Sequence, residues 1–202
     1  MRASWTEPDA DAPVPTLDRL VVSVRQIRFV PVGAPTALLE LAQVLRSLLL
    51  NGGVIVETFE VEADDVAAWF LSRNNFDTYG LLEQLFKSDA VAQTAPDLGA
   101  FDPRAALRTF EQTSALQLDG DLALALVRGG AYQEFEGSHA DAKRLGLEVC
   151  HQMFGDAWED IRVHQSTAVW SPWFCDVAWD HSWVITDMRN QQMTLLCLTD
   201  TD

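Results

Sequence analysis

The clearest pattern of apolar and polar positions lies near the C-terminal end. Over residues 178–187 the side chains alternate, with Trp179, His181, Trp183 and Ile185 on one face and Asp180, Ser182, Val184 and Thr186 on the other, the period of a β-strand. Residues 188–191 read as a turn in which Asn190 takes the left-handed backbone and Gln191 begins the return. A hairpin symmetric about Arg189-Asn190 sets Trp183 opposite Leu196, His181 opposite Leu198, and Ser182 opposite Cys197. The returning run, residues 193–198, is apolar at nearly every position. It predicts a strand buried on both faces inside a larger sheet. Residues 161–170 supply the nearest neighbouring strand, which Pro172 interrupts because it lacks a backbone donor; the chain re-enters at Val177.

Upstream, helical spacing dominates. Residues 19–32, rich in β-branched side chains, predict a strand. A helix follows over 35–50, with Leu38, Leu41, Leu45 and Leu48 on one side and Asn51-Gly52-Gly53 as its stop. Residues 54–61 predict a second strand, in which Glu57 and Glu60 call for an edge that meets water. Residues 62–73 change to helical period through Val66, Trp69 and Phe70, with Asp64 and Asp65 in the first turn and Asn74-Asn75 as the end. Another helix is predicted over 78–87, and residues 93–103 form a connection rather than a domain linker. Asp102-Pro103 opens a helix reaching about residue 113, and a short helix over 120–128 follows Asp119-Gly120-Asp121 as its cap. Ser138 caps the last long helix, whose stripe of Ala142, Leu145, Leu147, Val149, Met153 and Phe154 is interrupted by Gly146 and ended by Gly155. No repeat of 20 to 50 residues occurs. The expected fold is α+β: one domain over residues 18–202, with five or six helices on a mainly antiparallel sheet that includes the C-terminal hairpin. Residues 1–17, with Pro8, Pro13, Pro15 and Trp5 as their only large apolar anchor, are expected to form a flexible acidic arm.

Composition narrows the function classes. The 202 residues are 48% hydrophobic and 22% charged, enough for one substantial core without staples. The three cysteines, Cys150, Cys175 and Cys197, are too few and too scattered for a disulfide framework and fit a reducing compartment. The first residues hold no apolar signal stretch and no apolar run is long enough to span a bilayer; the expected location is the cytoplasm. Thirty acidic against fourteen basic residues give a net charge of −16. That charge repels phosphate backbones and anionic membranes, and it favours a protein partner with a basic surface.

No motif with a fixed mechanism is present. His139, His151, His164 and His181 share no metal-ligand spacing, so neither metal nor cofactor is expected. Asp176, Asp180 and His181 are the candidate catalytic set, a histidine base oriented by a carboxylate. On a strand, however, Asp180 and His181 point to opposite faces, and a histidine packed between Trp179 and Trp183 is the simpler reading. Cys150 and His151, adjacent on a helix, diverge too far to form a thiolate pair. Asp119-Gly120-Asp121 lacks the later ligands of a calcium loop.

Seven tryptophans are many for this length, and four lie beyond residue 164. Trp170, Trp173 and Phe174 around Pro172 are the candidate binding rings, and Asp200 and Asp202 of the terminal stretch are candidate acidic contacts. A small, acidic, single-domain protein without catalytic motifs has the general character of the immunity or antitoxin proteins with which bacteria mask a basic partner, although no motif carries that likeness. The expected function is accordingly non-enzymatic protein binding. The alternative is a small enzyme with an Asp/His site in a Trp-lined pocket near the hairpin.

Overall fold

A computed structural model describes residues 5–6, 13–73 and 80–202. Among the described residues six strands form one antiparallel sheet: β1 (Arg28–Val32), β2 (Gly53–Glu62), β3 (Glu111–Thr113), β4 (Ile161–Ser166), β5 (His181–Asp187) and β6 (Gln192–Thr199). Their order across the sheet is β1-β2-β6-β5-β4-β3. The β5-β6 hairpin has the register that its alternation predicts: Trp183 opposes Leu196, His181 opposes Leu198 and Ser182 opposes Cys197. The turn differs in one detail. The left-handed residue is Gln191, at φ 54°, while the Asn190 side chain and backbone N–H both donate to Asp187.

Burial of β6 on both faces requires a layer of helices on each side. One face carries α2 (Thr36–Leu48), α7 (Ala115–Arg128) and α8 (His139–Phe154), packed on Val54, Val56, Trp183, Ile185, Leu196 and Leu198. The other is covered by α3 (Asp65–Leu71), α4 (Leu81–Lys87), α5 (Asp89–Thr94) and α6 (Pro103–Leu107), against Phe59, Val61, Val184, Met193, Leu195 and Cys197. Trp5 joins this second core at 1% exposure, so the arm expected over residues 1–17 has a buried anchor; residues 1–4 and 7–12 lie outside the described residues. With α1 (Leu17–Arg25), eight α-helices are described, more than the five or six expected.

Residues 19–32 depart from the expected strand. Their first half is α1, capped by the Thr16 hydroxyl, and only its second half is β1. The β-branched Val21, Val22 and Val24 carry only a weak strand preference. Opposing it, Ser23 inside α1 hydrogen-bonds the Asp64 carboxylate that also caps α3. Strand β2 is not an edge: it lies between β1 and β6, and its Glu57 and Glu60 are half-buried. Burial pushes the Glu57 carboxyl up, against a hydrogen bond from Thr94.

The helix opened by Asp102-Pro103 stops at Leu107, because the chain straightens into β3 to pair with β4. Helix α7 begins at Ala115 under a Ser114 cap, so Asp119-Gly120-Asp121 is helix interior rather than a cap. In α8 the capping box at Ser138 and Asp141 is present; the buried stripe is Ala142, Gly146, Val149, Cys150 and Phe154, with Leu145 and Leu147 turned outward. The predicted helix over 78–87 is seen from Leu81, and its residues 78–79 and the Asn74-Asn75 stop fall outside the described residues. Among the described residues no helix is long and apolar enough to cross a membrane.

Candidate functional site

The three candidate catalytic residues do not converge. His181 starts β5 on the α7 side of the sheet and stacks on Trp183, with ring centroids 4.1 Å apart and planes 10° from parallel. Burial, aided by the nearby Arg128 guanidinium, lowers its pKa to about 4, and Nε2 has no hydrogen-bond partner among the described residues. The cleft beside it, between Arg128, Trp179 and Leu198, measures about 10 Å³, room for at most one water. The neighbouring Trp183 N–H faces the Asp121 carboxyl too loosely to close a hydrogen bond. Burial, with Asp119 close by, raises Asp121.

Asp180 serves the opposite face. At 2% exposure its carboxylate accepts the Thr199 hydroxyl at 2.6 Å and the N–H groups of Cys175 and Val177 at 3.1 and 3.2 Å. It thus shapes the approach to β5 from inside, with both oxygens engaged. Asp176 sits exposed on that loop with a left-handed backbone, φ 60°.

Two of the three candidate binding rings are also interior. Trp170 and Phe174 are each 5% exposed. Trp170 stacks among Phe86, Phe101 and Phe110, and its indole N–H donates to Ser182 Oγ at 2.9 Å. An aromatic-rich loop read as a surface is therefore mostly a core wall, and Trp173, packed edge-on to Phe174, is its half-exposed member. Asp200 is likewise no surface contact. Fully buried, it accepts the backbone N–H groups of Asn51 and Ala131, each at 2.8 Å, and so ties two loops to the end of β6. Gly130 makes that clamp possible, since a Cβ there would stand 2.5 Å from Asp200 Oδ2. Asp202 remains exposed.

The cysteines are free; burial raises Cys150 and Cys197 to about 12. Among the described residues no three His, Cys, Asp or Glu side chains gather as metal ligands do.

An open concavity lies elsewhere, where sequence pattern carries little signal. Strand β3 ends at Thr113, opposite Val163, and the chain turns into α7. The first residues of β4, Ile161 and Arg162, therefore run on past their neighbour. An open groove of about 890 Å³ results, lined by Gln112, Ser114, Leu116, Gln117, Trp158 and Arg162. Leu116 is 73% exposed on its wall. Trp158 is held by its N–H to the Gly155 carbonyl and by edge contacts with His151 and Phe154. Arg162 donates to the carbonyls of Glu159 and Ile161. Glu159 belongs to the groove lining and Glu111 precedes its wall residue Gln112; both are exposed, and neither forms an ion pair with a described residue.

The sheet, its two helical layers and this groove define an α+β domain. No protein-family model matches the chain, and no curated protein does. Among solved structures, that of citrus MAF1 is similar with a TM-score of 0.45 and 13% identity, over 83% of this chain and 99% of that one. So distant a likeness carries no argument about function.

Proposed function

We propose that this protein is a non-catalytic, acidic binding domain that holds a basic protein segment in the groove beside β3, masking it as an immunity or antitoxin protein masks its partner. The observation behind this reading is the juxtaposition of Leu116, Trp158 and the exposed carboxylate of Glu159 in the lining of an open groove, with the exposed Glu111 next in the chain to its wall residue Gln112. Part of the chain's limited positive charge already pairs with its own carboxylates: Arg28 with Glu62, Lys87 and Arg104 with Glu83, Lys143 with Asp119, Arg144 with Asp141, and Arg189 with Asp160. Carboxylate charge on the rim would raise the rate of encounter, and the apolar wall would hold the complex once formed.

The test is fluorescence anisotropy with a labelled, unstructured Lys/Arg-rich peptide. Binding should weaken as salt rises, and a Glu111→Lys/Glu159→Lys variant should weaken it by about tenfold or more. An Asp89→Lys/Asp97→Lys variant, with the same change in net charge away from the groove, should bind nearly as the parent does. Equal loss in both variants, or no binding by the parent, would sink the reading.

A further inference from the structure

Helix α1 turns apolar side chains outward. Leu20 and Ser23 are its buried residues, while Leu17 is 67%, Val21 49% and Val22 56% exposed, and Val14 just before the helix 74%. At 100° per residue, Asp18, Val21, Val22 and Arg25 fall at i, i+3, i+4 and i+7 and share the outermost strip. Asp18 and Arg25 are both exposed, and neither makes an ion pair with a described residue. The strip thus reads acid, apolar, apolar, base along the helix.

That order is self-complementary when one copy is reversed. We propose that α1 is a self-association face, on which a second copy of this chain packs its own α1 antiparallel about a two-fold axis passing between Val21 and Val22. The operation sets Val21 opposite Val22 of the second copy and Asp18 opposite Arg25 of the second copy. By symmetry each contact occurs twice. A parallel pairing would set like charges against each other. The face is independent of the groove beside β3 and leaves it open.

The contact is small. A nine-residue helix is roughly 14 Å long, so the dimer belongs to the weak, transient class. Its salt dependence has a definite sign. Two copies at −16 each repel over a distance that salt screens, so raising salt from about 50 to 150 mM strengthens the dimer. Capture of a basic partner in the groove responds in the opposite direction.

Sedimentation velocity over a concentration series tests the proposal. The parent should shift reversibly from monomer toward dimer as concentration rises. Arg25→Asp and Asp18→Arg should each raise the dissociation constant by about tenfold or more, although they change net charge in opposite senses. The Asp18→Arg/Arg25→Asp double variant restores both pairs with the charges exchanged and should return to within about threefold of the parent. Val22→Ser, which leaves the charges alone, should also weaken the dimer. All three substituted positions lie on the surface, and far-ultraviolet circular dichroism checks that each of the four variants is folded. A parent that stays monomeric throughout overturns the proposal. So do single variants that shift in opposite directions, and so does a double variant that fails to recover.

Discussion

Gly146 of α8 rests on the backbone of Asp119 in α7, so closely that a Cβ on Gly146 would stand 2.3 Å from the Asp119 carbonyl oxygen. A glycine inside a helix costs about 1 kcal/mol relative to alanine; here that cost is the condition for two helices to touch. Gly146→Ala should therefore destabilise the protein despite its better helix propensity. The obstacle is backbone, which cannot swing aside, and overpacking of this kind costs about 1–3 kcal/mol. A chemical-denaturation midpoint unchanged or raised in Gly146→Ala would contradict the contact.

Asp200 should behave as a core residue. Its carboxylate is fully buried and accepts directly from the part-buried N–H groups of Asn51 and Ala131, and its removal breaks both bonds. Asp200→Ala is expected to lose about 2–5 kcal/mol of stability. Hydrogen exchange should speed up first at the amides of residues 51 and 131. A solvated tail would show neither effect.

His181 gives acid sensitivity of a calculable sign. Its folded pKa of about 4 lies below the unfolded value of 6.5. Between those values the unfolded chain takes up a proton that the folded protein refuses. Stability is therefore whole above pH 6.5, falls as pH drops toward 4, and stops falling on this account below that, a total of about 3 kcal/mol. His181→Phe keeps a flat ring against Trp183 and cannot titrate. The difference between the stability–pH curves of parent and variant should contain that step; parallel curves would mean that the ring is solvated.

Trp170 and Trp173 should separate cleanly. Trp170→Ala removes a ring from the aromatic core and leaves Ser182 without its donor, at about 3–5 kcal/mol. Trp173→Ala should cost much less and leave affinity for the Lys/Arg-rich peptide unchanged. A large loss of affinity in folded Trp173→Ala would move the binding face from the groove to the loop around Pro172.

The hairpin was legible because two local signals agree: strict alternation over residues 178–187 and an apolar run that must be covered on both sides. The amphipathic helices were legible for the same reason, with Ser138 and the Asp102-Pro103 pair marking their starts. What escaped depends on partners remote in sequence. Strand β3 is three residues, Glu111, Gln112 and Thr113, with no apolar face, and only pairing with β4 makes it a strand. Asp180 and Asp200 look like surface carboxylates until Thr199, Asn51 and Ala131 close around them. The tryptophan cluster was visible as an oddity, but alternation cannot tell a core wall from a recognition surface when both faces of a strand are apolar. The groove arises from the mismatch in length between β3 and β4, which only the register reveals.

The place of β6 in the strand order bears on how the chain comes to fold. As the protein is synthesised, β1 and β2 emerge early and β4 and β5 late, yet neither half of the sheet can join the other until β6 arrives to lie between β2 and β5. Until then β2 and β5 each present an open, largely apolar edge, the condition in which nascent strands find wrong partners. The strand that closes the structure is thus the sixth of the six in chain order, and both edges stay open until it has been made.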